Sequence, residues 1–172
     1  MAAPDTGGDN LAIWQYDAHI IPRSELELKL NLDLKDAVLS SEEILNILDE
    51  ITWLNNTHSS EIVSQLDHYM KRISGWNPST IYWGCGDGGE VQISTTEGKV
   101  TEIFFRFDLR TVSDNFVSFT IDFLRKVDGV LAGQDGKILL TEDGLRHALS
   151  NSAAHAYVVN PKKYLESLKD AE

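Results

Sequence analysis

The stretch Thr80–Arg110, "TIYWGCGDGGEVQISTTEGKVTEIFFRFDLR", decides the fold class of this chain. Two turn signals, the glycine-rich run 84–89 and Glu97-Gly98, divide it into three β-like runs: Thr80–Trp83, Glu90–Thr95 and Lys99–Arg110. In the last run Ile103, Phe105, Phe107 and Leu109 alternate with Glu102, Phe104, Arg106, Asp108 and Arg110. That two-residue period belongs to a strand with one apolar and one polar face. Three such strands joined by tight turns predict an antiparallel meander.

Downstream, Ser113-Asp114 caps a helix whose Phe116, Val117, Thr120, Phe123, Leu124 and Val127 are spaced to cover a sheet face. Gly129–Ala132 and Lys137–Leu140 predict a small hairpin, and Thr141 caps a helix carrying Leu145, Ala148 and Leu149. Asn160-Pro161 opens a final short helix.

Upstream, Ser40 and Glu43 form a capping box ahead of the stripe Ile44, Leu45, Ile47, Leu48 and Ile51. A second helix begins near Ser60 and runs through Met70 to Ile73, with Lys71 and Arg72 at its C-terminal dipole and Gly75 as its stop. Leu11–Ile21 reads as a strand ended by Pro22-Arg23-Ser24. In Glu25–Lys35 the leucines 26, 28, 30, 32 and 34 alternate with polar residues, which predicts a strand hairpinned with the first. Residues 1–10 read as a mobile tail, and residues 11–172 as a single α+β domain. The expected architecture is a mainly antiparallel twisted sheet, built on a β-meander, with helices packed on one face.

The chain of 172 residues carries 27 acidic and 15 basic side chains, a net charge of −12. The excess is uneven: residues 1–70 hold 13 acidic and 3 basic groups, residues 71–172 hold 14 and 12. Such a balance argues against nucleic acid or an anionic membrane as direct ligands, since both need positive charge to meet phosphates. It favours a basic protein partner, whose approach the acidic half would steer. The opening residues lack the basic start and apolar centre of a secretory signal, and no run is apolar enough to span a bilayer, so a cytoplasmic protein is expected.

No motif specifies chemistry. The 84–89 run lacks the Gly-Lys-Ser/Thr and the following helix of a phosphate cradle, and Asp87 and Glu90 would repel phosphate. The single cysteine, Cys85, excludes an internal disulfide, and Asp87 beside it would raise its thiol pKa. Five histidines (19, 58, 68, 147 and 155) fall in no metal-binding spacing. No catalytic residue, metal or cofactor is assigned. An enzyme using Cys85, Asp87 or Asp108 with a histidine brought close by folding is the competing reading, and an acidic regulatory interaction module is a third.

Trp83-Gly84 with its acidic glycine-rich turn, "EVQISTTEGKVTEIFFRFDLR" at 90–110, a Phe-rich helix and "LRHALSNSAAHAYVVNPKKYLESL" at 145–168 follow one another in a familiar order. Over roughly residues 76–168 the chain resembles the small cytoplasmic immunity proteins of bacterial polymorphic and contact-dependent toxin systems. That resemblance implies a non-enzymatic protein that binds a cognate toxin domain and blocks its active site. An acidic body is what occluding a basic toxin, such as a nuclease, would need. The residues expected to touch it are Glu42, Glu43, Asp49, Glu50 and Trp53, supported by Asp33 and Asp36. Glu102, Arg106 and Asp108 form the second choice, with Arg106 and Asp108 placed to pair. Trp53 and Trp76, each beside polar turn residues, are the candidate exposed anchors.

Overall fold

In the computed structural model, residues 12–30, 34, 38–50, 57–86 and 88–169 are described. In chain order the elements are β1 (Gln15–Pro22), α1 (Arg23–Leu30), α2 (Ser41–Glu50), α3 (Thr57–Tyr69), β2 (Lys71–Ile73), β3 (Thr80–Cys85) and β4 (Gly89–Thr96). There follow β5 (Lys99–Asp108), α4 (Asp114–Lys126), β6 (Gly129–Gly133), β7 (Ile138–Leu139), α5 (Glu142–Ser150), α6 (Ala153–Val159) and α7 (Pro161–Lys169). All strands join one antiparallel sheet in the order β2-β3-β4-β5-β1-β6-β7. The domain is α+β, and β3-β4-β5 is the expected meander. No helix among the described residues is long and apolar enough to cross a membrane.

The local signals explain most of the elements. Glu97 and Gly98 both take positive φ (53° and 77°), as a type I′ hairpin turn requires. The Ser113, Thr141 and Ser152 hydroxyls accept the N–H groups of Phe116, Gly144 and His155 and start α4, α5 and α6. At α2 the box closes both ways: Glu43 accepts from the Ser40 N–H at 2.7 Å, and Ser40 Oγ accepts from the Glu43 N–H at 3.2 Å. Pro22 ends β1, where its missing N–H removes no further ladder bond.

Register assigns the two faces. Tyr16, Ala18, Ile20, Trp83, Val91, Ile93, Ile103, Phe105, Phe107 and Leu131 share one side, covered by Ile62 and Leu66 of α3, Phe116, Val117, Ile121 and Phe123 of α4, and Leu145 and Leu149 of α5. This is the main core. A smaller cluster lies on the opposite side, at the β1-β6-β7 end, where Ile21, Val130, Ala132 and Ile138 meet Leu26 of α1 and Ile44 and Ile47 of α2. The helical layer therefore has a second, smaller part on the other face.

Two expected elements change type. The run expected as a strand over 25–35 is helix up to Leu30. Leu26 and Leu30, four apart, turn towards the second cluster, while Leu28 is 80% exposed. Leucine, glutamate and lysine are all good helix formers, and among the described residues no partner strand pairs with this run. The helix expected to run through Ile73 stops at Tyr69, and Lys71, Arg72 and Ile73 pair instead with Gly84, Trp83 and Tyr82. Asp67 fixes that junction: it accepts from Arg72 at 2.6 and 2.7 Å and from the Trp83 indole at 3.0 Å. The expected tail and β1's first predicted residue, Leu11, lie outside the described residues.

Candidate functional site

Where β5 meets β1 and β4, the face away from the main core is polar apart from Phe104. Asp17, His19, Glu90, Gln92, Glu102, Phe104 and Arg106 lie on it. The helices α1 and α2 cover only its β6-β7 end. Next to that cover the sheet is open, and a cleft of about 500 Å³ forms over Phe104. Ile44 and Leu45 of α2 wall one side and Trp76, from the loop between β2 and β3, lines it as well. Leu45 is 59% exposed and Trp76 81%, unusual values for large apolar side chains beside a concavity.

The floor is tied together by charge. Arg106 and Asp17 are register partners on β5 and β1, and the guanidinium grips the carboxylate through two bonds, Nε–Oδ1 at 3.0 Å and Nη2–Oδ2 at 3.1 Å. Asp17 is only 6% exposed, so the pair is largely withdrawn from water. The backbone N–H of Asp17 donates to Gln134 Oε1 at 3.0 Å, and the Gln134 N–H returns a bond to the Asp17 carbonyl at 2.9 Å. Arg106 also lies over the Phe104 ring at 5.3 Å, a cation–π contact that fixes its plane. On the other side of Phe104, His19 Nδ1 stands 3.0 Å from Glu102 Oε1, and its ring meets Phe104 edge-on at 5.1 Å. Ser94 Oγ reaches Glu102 Oε2 at 3.4 Å. The histidine contact first, and the serine with it, holds the Glu102 carboxyl below the usual range against the opposing effect of burial.

The two sets of expected contact residues thus converge in part. Glu102 and Arg106 line the cleft; from α2 only Ile44 and Leu45 do, and Glu42, Glu43, Asp49 and Glu50 are exposed elsewhere on that helix. Two of these four carboxylates have local tasks. Glu43 closes the capping box, whose Ser40 N–H and hydroxyl pull its pKa down, and Glu50 pairs with Lys29 of α1. Trp53, Asp33 and Asp36 lie outside the described residues. Asp108 lies on the same face and lines a neighbouring cavity together with Arg106, but its ion-pair partner is Arg110, which stacks over Trp14 at 4.2 Å. Arg106 is taken by Asp17 because that carboxylate lies directly across the ladder, whereas Asp108 is two residues further along the same strand.

Asp17, His19, Leu45 and Gln134 were not singled out from the sequence. Asp17 and His19 are nonetheless legible as the polar half of the alternation Tyr16, Ala18, Ile20, which places them opposite the core.

The glycine-rich turn has a packing explanation. A Cβ on Gly89 would stand 2.3 Å from the Phe116 ring, and Gly88, at φ 82°, presses against the backbone of Thr111 and Val112. The Cys85 side chain and Asp87 lie outside the described residues. Among the described residues no group of three or more His, Cys, Asp or Glu is placed to hold a metal ion. Compared with known proteins, the chain matches no family model, no curated protein and no solved structure.

Proposed function

We propose that this protein is a cytoplasmic, non-enzymatic inhibitor of the immunity type, which binds a basic cognate toxin domain, such as a nuclease, and occludes its active site. The observation that carries this reading is the open polar sheet face, its ion-paired floor set between the acidic helix α2 and the solvent-exposed Trp76. A rigid charged floor beside an exposed tryptophan and leucine is the composition of a recognition surface: aromatic anchors supply affinity and the surrounding charges supply register and rate. The net charge of −12, concentrated in the half of the chain that includes α2, attracts a cationic counterpart.

The test is coexpression and titration with any toxin domain that a gene neighbouring this one encodes. The protein should restore growth and form a one-to-one complex whose association slows as salt rises. Because Glu43 and Glu50 have tasks within the fold, the clean variant is Glu42→Lys with Asp49→Lys. It should weaken the complex about tenfold while leaving circular dichroism unchanged. An undiminished affinity would remove α2 from the interface, and failure to bind or protect would reject the reading as a whole.

A further inference from the structure

We infer that the cleft between α2 and the Trp76 loop receives one cationic side chain of the partner, a guanidinium by preference, held between the Trp76 indole and the Glu102 carboxylate. This rests on the reading of the open sheet face as the docking surface and specifies what enters it. The charged groups lining the cleft are Asp17, Arg106 and Glu102. The first two satisfy each other through two bonds, so an incoming anion finds the guanidinium already occupied. Glu102 is different. Its contacts are an imidazole and a hydroxyl, and a carboxylate with two oxygens accepts further bonds beyond those. Glu42 and Asp49 on the neighbouring helix add to the negative potential that an approaching cation meets.

The aromatic groups give the preference for a guanidinium. Phe104 forms the floor and Trp76 stands exposed at the rim. Phe104 already carries Arg106, so Trp76 is the ring left open; a planar guanidinium stacks on such an indole and forks onto a carboxylate, whereas an ammonium does the first less well and the second not at all. The same pairing recurs within the molecule, where Arg110 lies over Trp14 at 4.2 Å while bridging Asp108.

The experiment titrates the intact protein, labelled with nitrogen-15, with acetyl-arginine amide and separately with acetyl-citrulline amide, its uncharged isostere. With the arginine probe, the Trp76 indole N–H and the backbone amides of Glu102 and Phe104 should shift together; with citrulline they should stay in place. Glu102→Gln keeps the shape of the side chain, and Trp76→Ala alters an exposed one, so both variants should fold. Each should weaken arginine binding about threefold. Asp122→Asn, on the exposed side of α4, should leave it unchanged. Equal shifts with both probes, shifts scattered over the surface, or none at Trp76 would overturn the inference. If the toxin complex forms and responds to the α2 variant while the arginine probe leaves the cleft unmoved, the cleft assignment alone fails. If arginine fills the cleft and no toxin domain binds, the functional reading fails and the cation site stands.

Discussion

Phe105 and Phe104 are consecutive residues on β5 and face opposite worlds. Phe105 is fully buried, with ring centroids 5.6 Å from Phe123 and 5.9 Å from Phe116, beneath α4. Phe104 lies on the open side, with Arg106 over it and His19 at its edge. Away from the β6-β7 end, which α1 and α2 cover, the contrast extends across the sheet: one face is apolar and covered, the other polar, ion-paired and largely open. Because side chains alternate along a strand, a single strand serves both without compromise. The difference teaches that the packed core and the open polar face are separable here by residue parity, so the proposed division between stability and recognition is testable one position at a time.

Phe105→Ala should have the largest effect. It removes an aromatic side chain from the centre of the main core and should lower stability by about 3–5 kcal/mol, read as a fall in the urea midpoint at constant slope. Phe104→Ala, one residue away, should lose about 1 kcal/mol or less. Equal losses would abolish the distinction between the faces.

Asp17→Asn asks how far the open face is merely surface. It removes the carboxylate that grips the Arg106 guanidinium in a site largely withdrawn from water, and should lower stability by about 2 kcal/mol. Replacing both partners, Asp17→Leu with Arg106→Met, should recover most of that loss, because the pair's attraction largely offsets its own desolvation. A double-mutant cycle gives the coupling directly. A loss within ±0.5 kcal/mol for the single change would show the floor to be solvated and unable to act as a rigid platform.

The covered face was the more legible of the two in the sequence, for a physical reason. Its strands β3, β4 and β5 sit next to their chain neighbours through tight turns, and every second residue from Ile103 to Phe107 repeats one apolar choice. The antiparallel meander, the Ser40–Glu43 capping box, the Ser113 and Thr141 caps and α4 could be read locally. The placement of β1 between β5 and β6 could not, since its partners are about ninety and one hundred and ten residues away. With it went the Asp17–Arg106 pair and the position of α2 beside the polar face. The leucine alternation from Leu26 misled because a period of two also places residues four apart on one side of a helix. Burial of Leu26 against Ile21 and Ile44, a tertiary fact, selected that solution. Three-residue β2 is shorter than any periodicity can reveal.

Acid titration sharpens the comparison further. Glu102, through its His19 contact, has a folded pKa below its unfolded value; so have Asp67, through Arg72, and Asp108, through Arg110. A depressed carboxyl contributes stability that is complete above the unfolded pKa of about 4 and is lost as pH falls through the lower folded value. The urea midpoint should therefore hold level from pH 7 to about 5 and decline below about 4. Glu102→Gln should lose less than about 1 kcal/mol at neutral pH and reduce the acid-limb slope, because the variant no longer takes up that proton. An unchanged slope would mean that Glu102 is not held by His19 in solution.

The smallest stability effect belongs to the residues with the greatest claim on binding. Trp76 and Leu45 are 81% and 59% exposed, so Trp76→Ala and Leu45→Ala should each change stability by no more than about 0.5 kcal/mol. Folding leaves both side chains in water beside a concave polar floor, where burial by a partner is still available to them. The same two substitutions should each weaken the proposed toxin complex by about 1–2 kcal/mol in a calorimetric titration, the loss expected of interface anchors. A variant that binds as well as the parent protein would show that the docking surface lies elsewhere. A variant that unfolds instead would show that Trp76 supports the sheet through the Gly75–Tyr82 contact, where the glycine backbone rests against the ring.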